Sequence, residues 1–203
     1  MKKAASEMWD ERYANENFVY GIEPNAFFKE ELSKLKVGRL LLPAEGEGRN
    51  AVFAASLSWQ VSAFDLSREG RLKALGLARR NQVDIEYEIA GFENFSFERG
   101  SFDCIALIYV HVAEDKRKDY HQLIAKYLKP GGVLILEGFS KEQLGKKSGG
   151  PGQIGMLFSK EDLLNDFSDL EAIRMEELDI ELSEGEFHQG TASVIRYVGK
   201  KSI

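Results

Sequence analysis

Residues 40–50 read Leu-Leu-Leu-Pro-Ala-Glu-Gly-Glu-Gly-Arg-Asn, and this stretch decides the fold. Three consecutive leucines suit a strand covered on both faces. Pro43 stops the run, and Ala44 to Gly48 form a glycine-bearing turn. Asn50-Ala-Val then opens a segment with helical patterning through Ser58. Glycines permit a tight turn and close approach of a ligand to the backbone, and the free N–H groups of a helix start add a polar cradle. A Gly-x-Gly pair alone is equally compatible with a plain structural turn.

Two neighbouring features bear on that choice. Asp65 follows the next apolar run, 17 residues after Gly48. A carboxylate there can accept hydrogen bonds from a ribose diol, or it can serve the helix N-terminus announced by Ser67. The turn also carries Glu45 and Glu47 and lacks the third glycine of a dinucleotide fingerprint. A pyrophosphate is repelled by carboxylates in its cradle, whereas a ligand bearing sulfonium and ammonium groups is not. Cationic S-adenosylmethionine (SAM) therefore ranks above NAD or FAD, and a nicotinamide oxidoreductase is the weakest reading.

Outward from this unit, apolar runs alternate with helical patterns. Strands are expected at 40–42, 61–64, 85–89, 102–110 and 133–136, with helices at 50–58, 67–81 and 115–128. Such alternation predicts an open α/β sheet with right-handed crossovers. The last third differs. Ser159-Lys-Glu-Asp162 has the spacing of a capping box opening a short helix through Phe167. Strand-like stretches at 171–182 and 192–198, joined by the polar segment 183–190, predict an antiparallel pair. Residues 5–36 read as a polar, aromatic-bearing arm with a helix at 26–35.

The 203 residues suit one domain, with 43% hydrophobic and 30% charged residues. A net charge of −6 and the lack of a long basic tract give no footprint for nucleic acid. No apolar run approaches the ~20 residues that span a bilayer, and no signal-peptide pattern follows Met1-Lys2-Lys3. Cys104 is the only cysteine, which fits a reducing, cytoplasmic setting and offers neither a disulfide nor a cysteine metal site. No closely spaced His/Cys/Asp/Glu set predicts a metal.

Several motifs together resemble class I SAM-dependent methyltransferases. They are Ala44-Glu-Gly-Glu-Gly-Arg-Asn50, Phe102-Asp-Cys-Ile105 and Leu128-Lys-Pro-Gly-Gly-Val-Leu-Ile-Leu136. The chain is similar in particular to the tellurite-resistance/thiopurine-methyltransferase-like bacterial branch. That likeness rests on Trp9-Asp-Glu-Arg-Tyr13, Tyr20-Gly-x-x-Pro-Asn25, Glu137-Gly-Phe139, Gly149-Gly-Pro151 and Glu184-Gly-x-Phe-His-Gln-Gly190. The resemblance implies a Rossmann-like class I fold with a mostly parallel seven-stranded sheet, a C-terminal antiparallel hairpin and helices on both faces. It implies one methyltransferase domain over 1–203, with residues 1–36 as arm and lid and 138–158 as substrate loop.

It further implies that the backbone at Ala44, Glu45, Gly46 and Gly48 lines the methionine part of SAM. Asp65 would bind the ribose, Leu66 would lie beside the adenine and Gly91-Phe92 at its edge. Ile108 and Tyr109 would flank the methionine and the transferable methyl, and Tyr20 would close the site. The acceptor would be a small molecule, a metalloid oxyanion or a thiol. Many relatives carry Asp where this chain has Leu42 and Gly where it has Ala44. The loop after the third strand often carries an Asp, and here reads Ala90-Gly-Phe-Glu93. Backbone contacts or Glu45 are the available substitutes. The same departures motivate an alternative, a non-catalytic SAM- or nucleoside-binding regulatory protein.

Methyl transfer needs positioning more than an obligate side-chain catalyst. Among three histidines, His111 lies past the fourth strand, at the end of the sheet where open α/β folds bind ligands, and is the catalytic candidate. His121 is expected to pack a helix, and His188 to order the terminal hairpin. Lys141, Lys146 and Lys147 in the glycine-rich loop would attract an anionic substrate, or simply face solvent.

Overall fold

The computed structural model describes residues 4–203. The elements in chain order are α1 (Ala5–Tyr13), α2 (Ala26–Leu32), β1 (Arg39–Pro43), α3 (Arg49–Ser56), β2 (Gln60–Asp65), α4 (Arg68–Arg80) and β3 (Glu86–Ile89). They continue as β4 (Phe102–Ile108), α5 (Glu114–Lys126), β5 (Leu128–Phe139), α6 (Lys160–Asp166), β6 (Leu170–Glu184) and β7 (His188–Lys201). The sheet is seven-stranded in the order β3-β2-β1-β4-β5-β7-β6. β1/β2, β2/β3 and β4/β5 are parallel, and β5/β7 is antiparallel. The expected Rossmann-like sheet, with its C-terminal antiparallel hairpin, is the observed one.

Residues 4–96 with 184–187 form one compact unit, and 97–183 with 188–203 a second. In the first, Leu40, Leu41 and Leu42 are fully buried, as strands covered on both faces require. β3 is exposed at three of its four positions, as suits an edge strand. The arm is more regular than its polar sequence predicts, because α1 is held by non-local contacts. Asp10 Oδ1 accepts from Ser67 Oγ at 2.6 Å and from Glu69 N at 3.2 Å. It thus sits at the N-terminus of α4, where a negative charge is stabilised.

In the second unit, Ile105, Ala106, Leu107, Leu134, Ile135 and Leu136 fill the middle of the β4–β5 pair. The capping box forms as its spacing predicts. Ser159 Oγ accepts from Asp162 N, and the Asp162 carboxylate accepts from Ser159 N. The terminal strands run longer than the sequence suggests, so the expected connection 183–190 shrinks to a tip at 185–187. The segment 138–158 holds two short 3₁₀ turns, Lys141–Gln143 and Ile154–Met156.

Candidate functional site

The turn between β1 and α3 is shaped by positive backbone angles, φ 50° at Ala44, 62° at Gly46 and 87° at Gly48. Ala44 adopts the left-handed region at a cost that glycine avoids. A side chain at Gly48 would meet Ala74 of α4 at 2.5 Å, so that glycine serves helix packing. One at Gly46 would meet the Tyr13 hydroxyl, also at 2.5 Å.

Asp65 comes to this turn. Its Oδ2 accepts from Gly46 N at 3.1 Å and its Oδ1 from Ser67 N at 2.8 Å, while Glu45 N donates to Phe64 O at 3.2 Å. The glycine turn and the end of β2 therefore share one end of the first unit. Asp65 is 6% exposed, and burial lifts its carboxyl to about 6. Tyr87 Oη donates to Gly46 O at 2.6 Å and closes the floor. Leu66 is 39% exposed and lies against Gly91, and Phe92 meets Phe64 edge-on. Within this unit, Ala44, Glu45, Gly46, Gly48, Asp65, Leu66, Gly91 and Phe92 thus cluster around the ends of β1, β2 and β3.

The two glutamates of the turn, alike in sequence, do different things. Glu47 is buried and committed. Its Oε1 pairs with Lys73 at 2.8 Å, and its Oε2 accepts from Val19 N at 2.9 Å and Tyr20 N at 3.4 Å. It anchors the arm. Glu45 Oε1 accepts from Ala51 N at 2.8 Å and so supplies the cap that Gly48 cannot give α3. Its Oε2 lies 3.5 Å from the Asn50 amide, and burial raises its carboxyl to about 7.

Tyr20 stands among aromatic rings. Its hydroxyl accepts from Arg12 Nη1 at 2.9 Å, and its ring lies near Tyr13 and Phe187. Arg12 is held between Trp9 and Phe187, its guanidinium carbon 5.0 and 4.9 Å from their centroids. Arg49 bonds Tyr20 O and Glu184. Arg12, Tyr87 and Phe187 were given no site role by the sequence, whereas Tyr13 was expected, with Trp9, Phe18 and Tyr20, either to form an aromatic lid or to staple the arm to the sheet.

In the second unit, Ile108 ends β4 and pairs with Glu137. Tyr109 follows with φ 55°, a strained value for an aromatic residue. Its backbone N donates to Glu137 O at 2.7 Å and its hydroxyl to Glu137 Oε1 at 3.1 Å. Arg196 Nε in turn bonds Glu137 Oε2 at 2.6 Å. The Tyr109 ring packs on Phe139 and His188.

The expectation of a catalytic His111 meets a different geometry. Its Nδ1 lies 2.7 Å from Met156 O, which fixes the proton there, and its Nε2 accepts from Phe139 N at 3.0 Å. Burial lowers its pKa to about 4. Neither nitrogen is left to take a proton from a substrate, so His111 ties the end of β5 to the 154–156 turn. His121 is buried against Asp166, as helix packing predicts.

A cavity of about 550 Å³ is lined by Ala113, Glu114 and Asp115 at the start of α5 and by 153–156 of the glycine-rich loop. Lys141 is paired with Asp162, and Lys146 with Asp179, so two of the three loop lysines are neutralised. No group of His, Cys, Asp and Glu suited to a metal ion occurs among the described residues. No described helix is long and apolar enough to cross a membrane.

Residues 43–132 match the family model described as "Methyltransferase domain". No curated protein matches the chain in sequence. Among similar solved structures is one titled for the conversion of a disulfide bond into a thioacetal group during echinomycin biosynthesis. It shows 15% identity and a TM-score of 0.81, with 98% of this chain and 92% of that one covered. TehB from Haemophilus influenzae shows 12% identity and a TM-score of 0.73, with 97% and 67% covered. The N-methyltransferase NodS from Bradyrhizobium japonicum, solved with S-adenosyl-L-homocysteine (SAH), shows 14% identity and a TM-score of 0.70, with 97% of each chain covered. At these identities the likeness is one of fold.

Proposed function

We propose that this chain is a SAM-dependent methyltransferase acting on a small molecule, with 1–203 as one methyltransferase domain. The observation that carries this reading is the 3.1 Å bond from Gly46 N to Asp65, which brings the glycine turn and the ribose-type acid together. The methyltransferase-domain match over 43–132 supports the reaction class.

The residues fit the cofactor. Asp65 has used one lone pair on each oxygen for backbone N–H groups, and the remaining pairs suit the ribose hydroxyls. Leu66, with Gly91 and Phe92, offers apolar surface for adenine. Ala44, Glu45, Gly46 and Gly48 offer backbone to the methionyl end, and Tyr20 closes the arm. When bound, SAM supplies an electrophilic methyl group. The chain's task is to align the acceptor and exclude water, and no histidine base is required.

The segment 138–158 serves as the acceptor loop in this reading, and its share in the 550 Å³ cavity supports that role. Of the two acceptor classes suggested by the resemblance, the carboxylates of Glu114 and Asp115 favour a thiol over a metalloid oxyanion. Membership in the tellurite-resistance/thiopurine-methyltransferase-like branch, and a cytoplasmic setting without nucleic-acid or membrane partners, belong to the same proposal. The replacement of a polar residue by buried Leu42 favours the second reading, a SAM-binding regulatory protein.

Calorimetry with SAM, SAH and NAD tests the proposal. Binding of both adenosyl sulfur compounds is expected, followed by methyl transfer in an acceptor screen. Binding of NAD alone refutes it, and SAM binding without transfer to any acceptor favours the regulatory reading.

A further inference from the structure

Three carboxylates stand in or beside the glycine turn, and their partners differ. Glu47 has its cation in Lys73. Asp65 faces backbone N–H groups and, in the reading above, ribose hydroxyls. Among the described residues Glu45 makes no ion pair: Ala51 N and the Asn50 amide donate to it, and Arg49 attracts it without a direct contact. The nearest cation in sequence, Arg49, attracts Glu45 at a distance, but its hydrogen bonds go to Glu184 at 2.8 Å and to the carbonyls of Tyr20 and Glu23. Carboxylates withdrawn from water are ordinarily paired with a cation or else hold a proton.

The local backbone explains why Glu45 points where it does. The left-handed Ala44 turns the chain at the end of β1, and Glu45 N then docks on Phe64 O. The side chain swings back over the first turn of α3, where Ala51 N fixes one oxygen. Leu42, the position at which relatives often carry an acid, is 1% exposed and has no polar side-chain atom. The acid of this chain stands three residues later, half-buried in the turn.

Resting on the SAM reading, we propose that the Glu45 carboxylate binds the ammonium group at the methionyl end of the cofactor, replacing the acid that Leu42 lacks. An ammonium is the fitting partner because it brings directed N–H donors as well as charge. A carboxylate has about four acceptor positions, and the neutral donors here, Ala51 N with the side chain and backbone of Asn50, do not fill them all. The sulfonium has no N–H to offer. Burial raises the pKa of Glu45 although Ala51 N, Arg49 and Asn50 act to lower it, which agrees with a carboxylate whose charge is only partly compensated.

The test is calorimetry of wild type and Glu45→Gln with SAM, SAH and 5′-methylthioadenosine, which lacks the amino-acid end. Glutamine keeps an acceptor for Ala51 N, and circular dichroism establishes that the variant is folded. Losing a charge-assisted hydrogen bond should weaken SAM and SAH alike by about 10- to 100-fold. Affinity for 5′-methylthioadenosine should stay within about twofold, the signature of a contact confined to the missing end. Glu45→Asp, which keeps the charge on a shorter stem, should recover part of the loss. If SAM weakens while SAH does not, the carboxylate reads the sulfonium and the assignment is overturned. Unchanged affinity for all three shows that Glu45 only caps α3, and an equal loss for all three shows a general disturbance; either overturns it. A wild type that binds none of them removes the SAM reading itself, whereas intact wild-type binding with an unaffected variant removes only the ammonium assignment.

Discussion

Glu45→Gln should make the cofactor-free chain more stable above neutral pH. The carboxyl moves from its ordinary 4.5 to about 7 on folding, chiefly because burial disfavours its charge. Between those values the folded chain binds more protons than the unfolded chain, so stability falls as pH rises. The group costs nothing below about pH 4, and its full cost is present above pH 7. A change of that size corresponds to at most about 3–4 kcal/mol. Partial solvent access to Glu45 reduces it to about 1–3 kcal/mol. Glutamine carries no charge and can still accept from Ala51 N. Urea titrations without ligand at pH 5 and pH 8 would measure the effect. Wild type and variant should differ little at pH 5, and the variant should be more stable at pH 8 by about 1–3 kcal/mol, or about 2–4 °C in Tm per kcal/mol. A variant equal to or weaker than wild type at pH 8 refutes the idea that an uncompensated charge sits in the turn.

Other substitutions separate binding from architecture. Asp65→Ala should weaken SAM binding at least tenfold in calorimetry and also destabilise the fold, because Gly46 N and Ser67 N each lose an acceptor worth about 1–3 kcal/mol. Unchanged affinity removes the ribose role. His111→Ala should lower stability by about 2–4 kcal/mol in a denaturant titration while adenosyl-ligand affinity stays within about twofold, since the ring only joins Met156 to Phe139. Asp166→Ala should cost about 3–5 kcal/mol, as it strips a buried partner from Arg117 and His121. A small loss in thermal unfolding contradicts that pairing.

The sequence was most readable where structure is locally determined. The leucine run, the glycine turn, Ser67 at the start of α4 and the Ser159–Asp162 capping box each involve residues a few positions apart. Long-range chemistry was hidden. The cap that Asp10 places on α4 connects residues 57 and 59 positions apart, so the arm reads as merely polar. Glu45 and Glu47 occupy indistinguishable contexts in sequence, and Lys73, on another helix, makes Glu47 an anchor by an ion pair that Glu45 does not share. His111 looked reactive because the chain places it just past the end of β4, yet a carbonyl 45 residues later claims its proton. The length of the terminal strands was also obscured, since Ser183, Glu184 and His188 to Gly190 read as part of a polar, glycine-bearing connection.

The most direct measurement is a crystal structure of the chain grown with SAH. Ribose hydroxyls about 2.7 Å from Asp65 and the ligand ammonium about 2.8 Å from Glu45 are the expected contacts. Ligand density away from the turn between β1 and α3, with both carboxylates left as they stand in the free chain, would contradict the assigned site.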